Sequence, residues 1–175
     1  NTQGIMGGIE EDINETGIIQ CYEAAQKIKD MKFDLIISSP ATRTKHVTQL
    51  INVNNLPVIY DDRLIERDLG IYEGCVYKNI DAFDFWNYYP KKYLELESMQ
   101  SVCERIDDFI RTIQEEYPDK KLLIVTHVGA ALGFYCNEHG IPEDGDLSNF
   151  GQGNCEIREY DVDYRRRKKE KKIEE

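Results

Sequence analysis

Short apolar runs separated by amphipathic stretches set the pattern of this chain. Residues 33–40, FDLIISSP, and residues 121–128, KLLIVTHV, are nearly continuous apolar runs, which is typical of strands buried on both faces. Residues 57–64, PVIYDDRL, are more polar and predict a strand near the edge of a sheet. Residues 155–162, CEIREYDV, alternate between apolar and polar positions and predict a last strand with one face less buried.

Between these runs, the spacing of apolar residues predicts helices. Residues 15–31 place apolar side chains every three to four positions after Asn14, a plausible N-cap. Further helices are predicted over 41–52, after Ser98, and over 129–139. Strands that alternate with helices predict an α/β fold, with helices on both faces of a mostly parallel sheet.

Composition separates a folded body from a charged tail. Residues 165–175 hold seven basic and three acidic residues, which leaves 15 basic and 30 acidic residues in 1–164. With no repeat and no linker in the sequence, residues 1–164 are expected to form a single domain. The tail lacks the apolar residues of a packed helix face and is expected to be a solvated extension, or else a basic patch for nucleic acid or membrane.

The charge and the cysteines bear on partners and on the compartment. The net charge of -11 should repel nucleic acid and anionic membranes, so neither is expected as a partner. No apolar run approaches the ~20 residues that span a bilayer. The five cysteines are widely spaced and include no CxxC pair, which favours a reducing cytoplasm over a disulfide framework.

Candidate chemistry follows three of the predicted strands. Arg43 comes shortly after the first strand, Glu66 after the second, and His127 at the end of the third. Ligands of open α/β sheets bind beyond the carboxyl ends of the strands. An arginine at a helix start can bind phosphate oxygens, and a carboxylate in a tight loop can transfer a proton. Taken singly, each residue is equally compatible with a surface or structural role.

Several segments resemble, in order and spacing, those of the histidine phosphatase superfamily, also called phosphoglycerate-mutase-like. RLIERDLGIYEG (63–74) is similar to the family segment R-L-x-E-x-x-x-G-x-x-E-G, and SSPATRT (38–44) to S-S-P-x-x-R-A. The other matching segments are NETGIIQCYEAA (14–25), ESMQSVCERI (97–106) and IVTHVGA (124–130). Co-linear segments that cover nearly all of residues 1–162 are more specific than any single motif.

The resemblance implies a three-layer α/β/α sandwich and phosphoryl transfer through a phosphohistidine, with no metal and no cofactor. It implies that Arg43 clamps phosphate, that Glu66 donates a proton to the leaving oxygen, and that His127 stabilises the equatorial oxygens. Asn1 matches the asparagine that ends the family's first motif, R-H-G-E-x-x-x-N. The phosphate-binding set expected on this basis is Asn1, Gly8, Arg43, His127 and Val128.

The sequence departs from the family pattern in two ways. The R-H-G motif is absent, and its nucleophilic histidine would lie six residues before Asn1. The missing segment also carries the family's central strand. We therefore expect a natural chain with roughly ten more residues, the number that a strand with a rise of ~3.3 Å per residue needs to cross the sheet. The alternatives are a genuine fragment, or a strand supplied by a partner. Second, Val128 replaces a common glycine, and Ile5 stands where an arginine is common, which weakens the case for a substrate with two anionic groups.

The length of the cover over the site favours one activity. Only residues 75–96 lie between the acidic loop and the next helix. Mutases of the family are longer chains with a larger insertion at this point. A short cover leaves the site open to water, which favours a phosphomonoester hydrolase acting on a small phosphorylated metabolite. A phosphoglycerate-type mutase and a non-catalytic phosphate-binding relative stay open. The aromatic candidates for a lid over the alcohol part of the substrate are Phe83, Phe85, Trp86, Tyr88 and Tyr89.

Overall fold

The computed structural model describes residues 4–6 and 11–163, and the predicted tail 165–175 lies outside them. The helices are α1 (Glu15–Ile28), α2 (Thr42–Ile51), α3 (Ala82–Phe85), α4 (Met99–Glu116) and α5 (Val128–His139). The strands are β1 (Leu35–Ser38), β2 (Val58–Tyr60) and β3 (Leu122–Val125). No helix in this part of the chain combines the length and the apolar character needed to cross a membrane.

The described strands form one parallel sheet in the order β2-β1-β3. In β1, Leu35 and Ile37 pack against the core between the sheet and the α4–α5 pair. Ile36, which points to the other face, packs in the core beneath α1 and α2. Because alternate residues of a strand face opposite sides, β1 is buried on both faces, and the fold is the expected three-layer α/β/α sandwich.

Local signals place the helix ends where the sequence predicts them. The Asn14 side chain accepts a hydrogen bond from the Gly17 N–H at 3.0 Å and caps α1. Ser98 caps α4 by accepting from the Ser101 N–H at 3.0 Å. Gly140 ends α5 with φ of 81°, a left-handed conformation that glycine adopts without strain. The predicted edge position of the second strand is also confirmed, since β2 pairs only with β1 in the described sheet.

The strand predicted over 155–162 is wrong. This segment forms no ladder with the described sheet. Its Asp161 N–H instead donates to Glu138 Oε1 of α5 at 3.2 Å. The N–H of Asp163, just after the segment, donates to Asn137 Oδ1 of the same helix at 3.0 Å. Tyr160 stacks on Phe134 of the same helix. The alternating pattern therefore serves contact with α5, not pairing within the sheet.

One edge of β3 borders a large cavity. β3 pairs with β1 on one side, and within residues 4–6 and 11–163 no strand pairs with its other side. The cavity has a volume of about 1840 Å³, and all of β3 and residues 155–162 contribute to its wall. It continues to the carboxyl end of the sheet, where Arg43, Glu66 and His127 line it.

The contact between α4 and α5 yields a stability test at Gly133. A Cβ at this position would lie 2.7 Å from Ile106 Cγ1 and 2.9 Å from Ile106 Cβ. Such overpacking costs about 1–3 kcal/mol, which exceeds the gain of up to ~1 kcal/mol in helix propensity. Gly133→Ala is expected to lower the free energy of unfolding by about 1–2 kcal/mol, measured by urea denaturation.

The matched control is Gly153→Ala, since a Cβ there would meet its nearest atom, Glu156 Oε2, at 3.4 Å. Its free energy of unfolding should stay within about 0.5 kcal/mol of the wild-type value. Equal stability of the two variants would contradict the close packing of α4 on α5.

Candidate active site

Two strand ends meet at the carboxyl edge of the sheet. Ser39 directly follows β1 and His127 follows β3 by two residues, and His127 Nε2 lies 2.8 Å from Ser39 Oγ in a buried hydrogen bond. Ser39 is held in turn by local bonds, with its carbonyl accepting from the Thr44 hydroxyl at 2.9 Å. The sequence did not identify Ser39 as a site residue, although it lies in the matching segment SSPATRT (38–44). Its S-S-P segment was the available signal.

His127 is a buried, uncharged imidazole. Its exposed fraction is 8%, and it occupies the N-cap of α5. Burial lowers the pKa of His127, and the positive charges of Arg43 and Arg105 lower it further, to about 3. A neutral imidazole has one N–H donor and one acceptor nitrogen, so His127 can direct a hydrogen bond at an anion without being protonated.

Glu66 is anchored to the start of α5. Its Oε1 accepts hydrogen bonds from the backbone N–H of Gly129 and of Arg67, both at 2.8 Å. Burial raises the pKa of Glu66, and these two bonds with the charges of Arg43 and Arg105 oppose the rise. A carboxyl group with a raised pKa that faces a cavity is suited to proton transfer.

Gly129 permits this anchoring because it has no side chain. A Cβ at this position would lie 2.5 Å from Glu66 Oε1 and 2.8 Å from Arg67 Cβ. Neighbouring Val128 is the first residue of α5 and lines the cavity. It stands where the family pattern commonly has glycine, and the close approach to Glu66 is made by the neighbouring Gly129.

Arg43 lies in the first turn of α2 and lines the same cavity. The N-cap of α2, Ala41, has no side-chain cap bond, and a helix N-terminus favours anions. The charge of Arg43 acts on both Glu66 and His127, since it lowers the pKa of each. The three residues predicted to share one edge of the sheet are therefore brought together there.

Other expected residues are placed differently. Asn1 and Gly8 lie outside the described residues. Of the five aromatic lid candidates, Phe85 and Trp86 line the cavity, while the other three do not. Arg105 of α4, whose charge acts on both Glu66 and His127, was missed as a site residue. Its signal was its place in ESMQSVCERI (97–106), one of the segments that resemble the family.

The arrangement is suited to an anionic, phosphorylated ligand. A guanidinium and a neutral imidazole supply donors, and a carboxyl group of raised pKa lies beside them. These are the elements that phosphoryl transfer needs for positioning, charge neutralisation and proton transfer. In the described part of the chain, no group of three or more His, Cys, Asp or Glu side chains is placed to hold a metal ion.

The chain is similar in sequence to known phosphatases. The Uncharacterized phosphatase PhoE of Bacillus subtilis (strain 168) is 30% identical over 172 residues, covering 91% of this chain and 86% of the relative. Phosphoserine phosphatase 1 of Hydrogenobacter thermophilus is 28% identical over 165 residues, covering 90% of this chain and 76% of that protein.

Solved structures share the fold. A mycobacterial glucosyl-3-phosphoglycerate phosphatase in complex with VO3 superposes with a TM-score of 0.74 at 23% identity, covering 93% of this chain and 91% of that one. The alpha-ribazole phosphatase of Shigella flexneri gives 0.71 at 22% identity, covering 93% and 89%. The sequence model of the histidine phosphatase superfamily (branch 1) matches residues 1–173, and the chain belongs to that superfamily.

Proposed function

We propose that this protein hydrolyses phosphomonoesters of small metabolites through a phosphohistidine intermediate. The observation that carries the proposal is the Glu66 carboxyl group. It is anchored at 2.8 Å by the Gly129 N–H, has a pKa raised by burial, and faces a cavity shared with Arg43 and His127. A buried carboxyl group beside a guanidinium and an imidazole supports the role of proton donor for Glu66 and of phosphate binding for Arg43 and His127.

The proposed reaction has two steps. A histidine nitrogen attacks phosphorus, the P–O bond to the alcohol breaks, and the leaving oxygen takes the proton of Glu66. Glu66, now a carboxylate, then takes a proton from water as the water oxygen attacks the phosphohistidine and releases phosphate. Arg43 and neutral His127 hold the phosphoryl oxygens in both steps, because this chemistry depends on positioning and charge neutralisation.

The attacking histidine is assigned to a strand beside β3, with residues 1–164 and that strand forming one domain. His127 is an unsuitable nucleophile because its Nε2 is engaged with Ser39 Oγ. The wall formed by β3 on one side and residues 155–162 on the other leaves room for a strand along the unpaired edge. A parallel strand in this position would end beside His127, at the same edge as the proposed proton donor.

Water access supports hydrolysis over return of the phosphoryl group. Between the Glu66 loop and α4, regular structure is confined to α3 and two single turns of 3-10 helix, Gly70–Tyr72 and Tyr77–Asn79. So short a cover leaves the site open to water.

The proposed location is a reducing cytoplasm. Free thiols at all five cysteines agree with it.

The first test traps the intermediate. In a chain that includes the proposed strand with the nucleophilic histidine, rapid quenching with a 32P-labelled ester should give an acid-labile, base-stable label on a histidine other than His127. Labelling and turnover should persist in excess EDTA. A chain that starts at Asn1 should bind vanadate without turnover. Full activity in that shorter chain would contradict the proposed nucleophile, and dependence on a bisphosphate primer with little hydrolysis would indicate a mutase.

The second test concerns Glu66. Glu66→Gln cannot supply a proton, so hydrolysis of alkyl phosphates, whose leaving groups are poor, should slow by about 10²–10⁴-fold. Release of 4-nitrophenolate in the first turnover should change far less, because this leaving group departs as the anion, and the second step is common to both substrates. The matched control is Glu73→Gln, a change at an exposed carboxylate of the same loop. Equal slowing of both substrates by Glu66→Gln would remove Glu66 as the acid.

A third test uses the pKa of His127, lowered from 6.5 to about 3. Between these pH values the unfolded chain binds a proton at this position and the folded chain does not, so folding stability must fall as pH falls. Compared with His127→Gln, the wild type should lose about 1.4 kcal/mol of stability per pH unit below 6.5.

Urea denaturation without phosphate measures this difference. His139→Gln, at an exposed histidine of the same helix, should leave the wild-type pH dependence in place. A pH dependence that is the same in His127→Gln and in the wild type would show that folding does not lower the pKa of His127.

A further inference from the structure

The segment that carries Glu66 is held on its N-terminal side by two side chains from different elements. Arg105 Nη1, from α4, donates to the Arg63 carbonyl at 2.5 Å. Thr126 Oγ1, beside His127 at the end of β3, donates to the Leu64 carbonyl at 2.7 Å. The backbone before Glu66 is thus tied both to α4 and to the strand end that carries the imidazole.

On the C-terminal side of Glu66, Glu97 makes three hydrogen bonds to the two residues that follow. The Glu97 N–H donates to the Asp68 carbonyl at 2.9 Å, and Glu97 Oε2 accepts from the Asp68 N–H at 3.1 Å. The Glu97 carbonyl accepts from Arg67 Nε at 2.5 Å. Glu97 therefore binds both residues that follow Glu66.

Glu97 and Arg105 also bind each other, which joins the two sides. Arg105 Nε donates to Glu97 Oε1 at 2.9 Å and Arg105 Nη2 donates to Glu97 Oε2 at 3.1 Å. This is a two-pronged contact of a guanidinium with a carboxylate, the geometry that fixes both groups most strongly. Their side chains are 16% and 17% exposed, so water competes little for these bonds.

From this closed set of contacts we infer that Glu97 and Arg105 are positioning residues for the proton donor Glu66. They clamp the backbone on both sides of it, so that its carboxyl group stays bonded to the Gly129 N–H and directed at the leaving oxygen. A proton donor must lie within hydrogen-bond reach of the atom it serves, and a displacement of about 1 Å can cost ~100-fold in rate. The inference rests on the proposed phosphatase function, because it assigns Glu66 the role of acid.

Arg63 provides a comparison that separates a positioning role for Glu97 and Arg105 from a purely structural one. The Arg63 side chain binds Asp61, Asp108 and Thr112, and so it also ties this segment to α4. It reaches neither Glu97 nor the residues on the C-terminal side of Glu66 in these bonds. Arg63→Lys is therefore a matched control for Arg105→Lys. It also replaces arginine by lysine and also removes contacts between this segment and α4.

The test compares Arg105→Lys, Glu97→Gln and Arg63→Lys in the full-length chain. Lysine at 105 keeps the charge but loses the fork to Glu97, and glutamine at 97 keeps the shape but loses the ionic acceptor. Both changes should lower kcat for alkyl phosphates by about 10- to 100-fold, a part of the factor a general acid contributes. For 4-nitrophenyl phosphate, the rate of the first turnover, which needs no acid, should change less than about threefold. KM should hardly change, because Arg43 is untouched.

A second readout does not depend on turnover. The amides of Gly129 and Arg67 both donate to Glu66 Oε1, so their hydrogen exchange reports whether the carboxyl group is held. Exchange of both amides should be several-fold faster in Arg105→Lys and Glu97→Gln than in the wild type. It should be unchanged in Arg63→Lys, which should also slow both substrates equally if it slows them at all.

The outcomes separate the two proposals. If the wild type hydrolyses phosphate esters but Arg105→Lys and Glu97→Gln slow both substrates equally and leave the two amides protected, the positioning role is overturned. If the wild type forms no phosphohistidine and hydrolyses no ester, the proposed function fails, whatever the amides show. Faster amide exchange together with a selective loss on alkyl phosphates supports the positioning role.

Discussion

The hydrogen bond from the Gly129 amide to Glu66 Oε1, at 2.8 Å, is the constraint on which the candidate site depends. It joins the loop after β2 to the junction of β3 and α5, two parts of the chain that are 63 residues apart. The bond requires a glycine, because a Cβ at 129 would lie 2.5 Å from the carboxylate oxygen. Once the bond is made, the position of the Glu66 carboxyl group is fixed relative to the His127 imidazole.

The electrostatics of the site follow from the same compactness. Desolvation favours the uncharged forms of both groups, so it raises the pKa of Glu66 and lowers the pKa of His127. The charges of Arg43 and Arg105 oppose the first shift and reinforce the second. A dianionic phosphoryl group in the cavity would meet the guanidinium of Arg43, whereas the guanidinium of Arg105 is paired with the Glu97 carboxylate. The acidic surface of the body, by contrast, contributes nothing attractive to such a ligand.

Much of this could be predicted from the sequence, because parallel strands bring their carboxyl ends to one edge. The buried runs that became β1 and β3 placed Arg43 and His127 correctly, and the tight loop placed Glu66. Ser39, Gly129 and Arg105 were not assigned roles because their partners are distant in the chain: Ser39 and His127 are 88 residues apart. The pattern at 155–162 misled because side-chain alternation arises equally from contact with a helix. Periodicity reports which side is buried, not what buries it.

The register of the sheet has a consequence for biosynthesis. β1 pairs with β3 through contacts such as Ile37 with Ile124, so β1 leaves the ribosome long before its partner exists. At roughly 5–20 residues per second, the more than 80 intervening residues take about 4–17 s to be made. During that time the apolar edge of β1 has only β2 to pair with, and the nascent chain exposes a template for wrong strand pairing. The rate of translation, and the chaperones that bind such edges, are therefore expected to govern the yield of folded enzyme more than its final stability does.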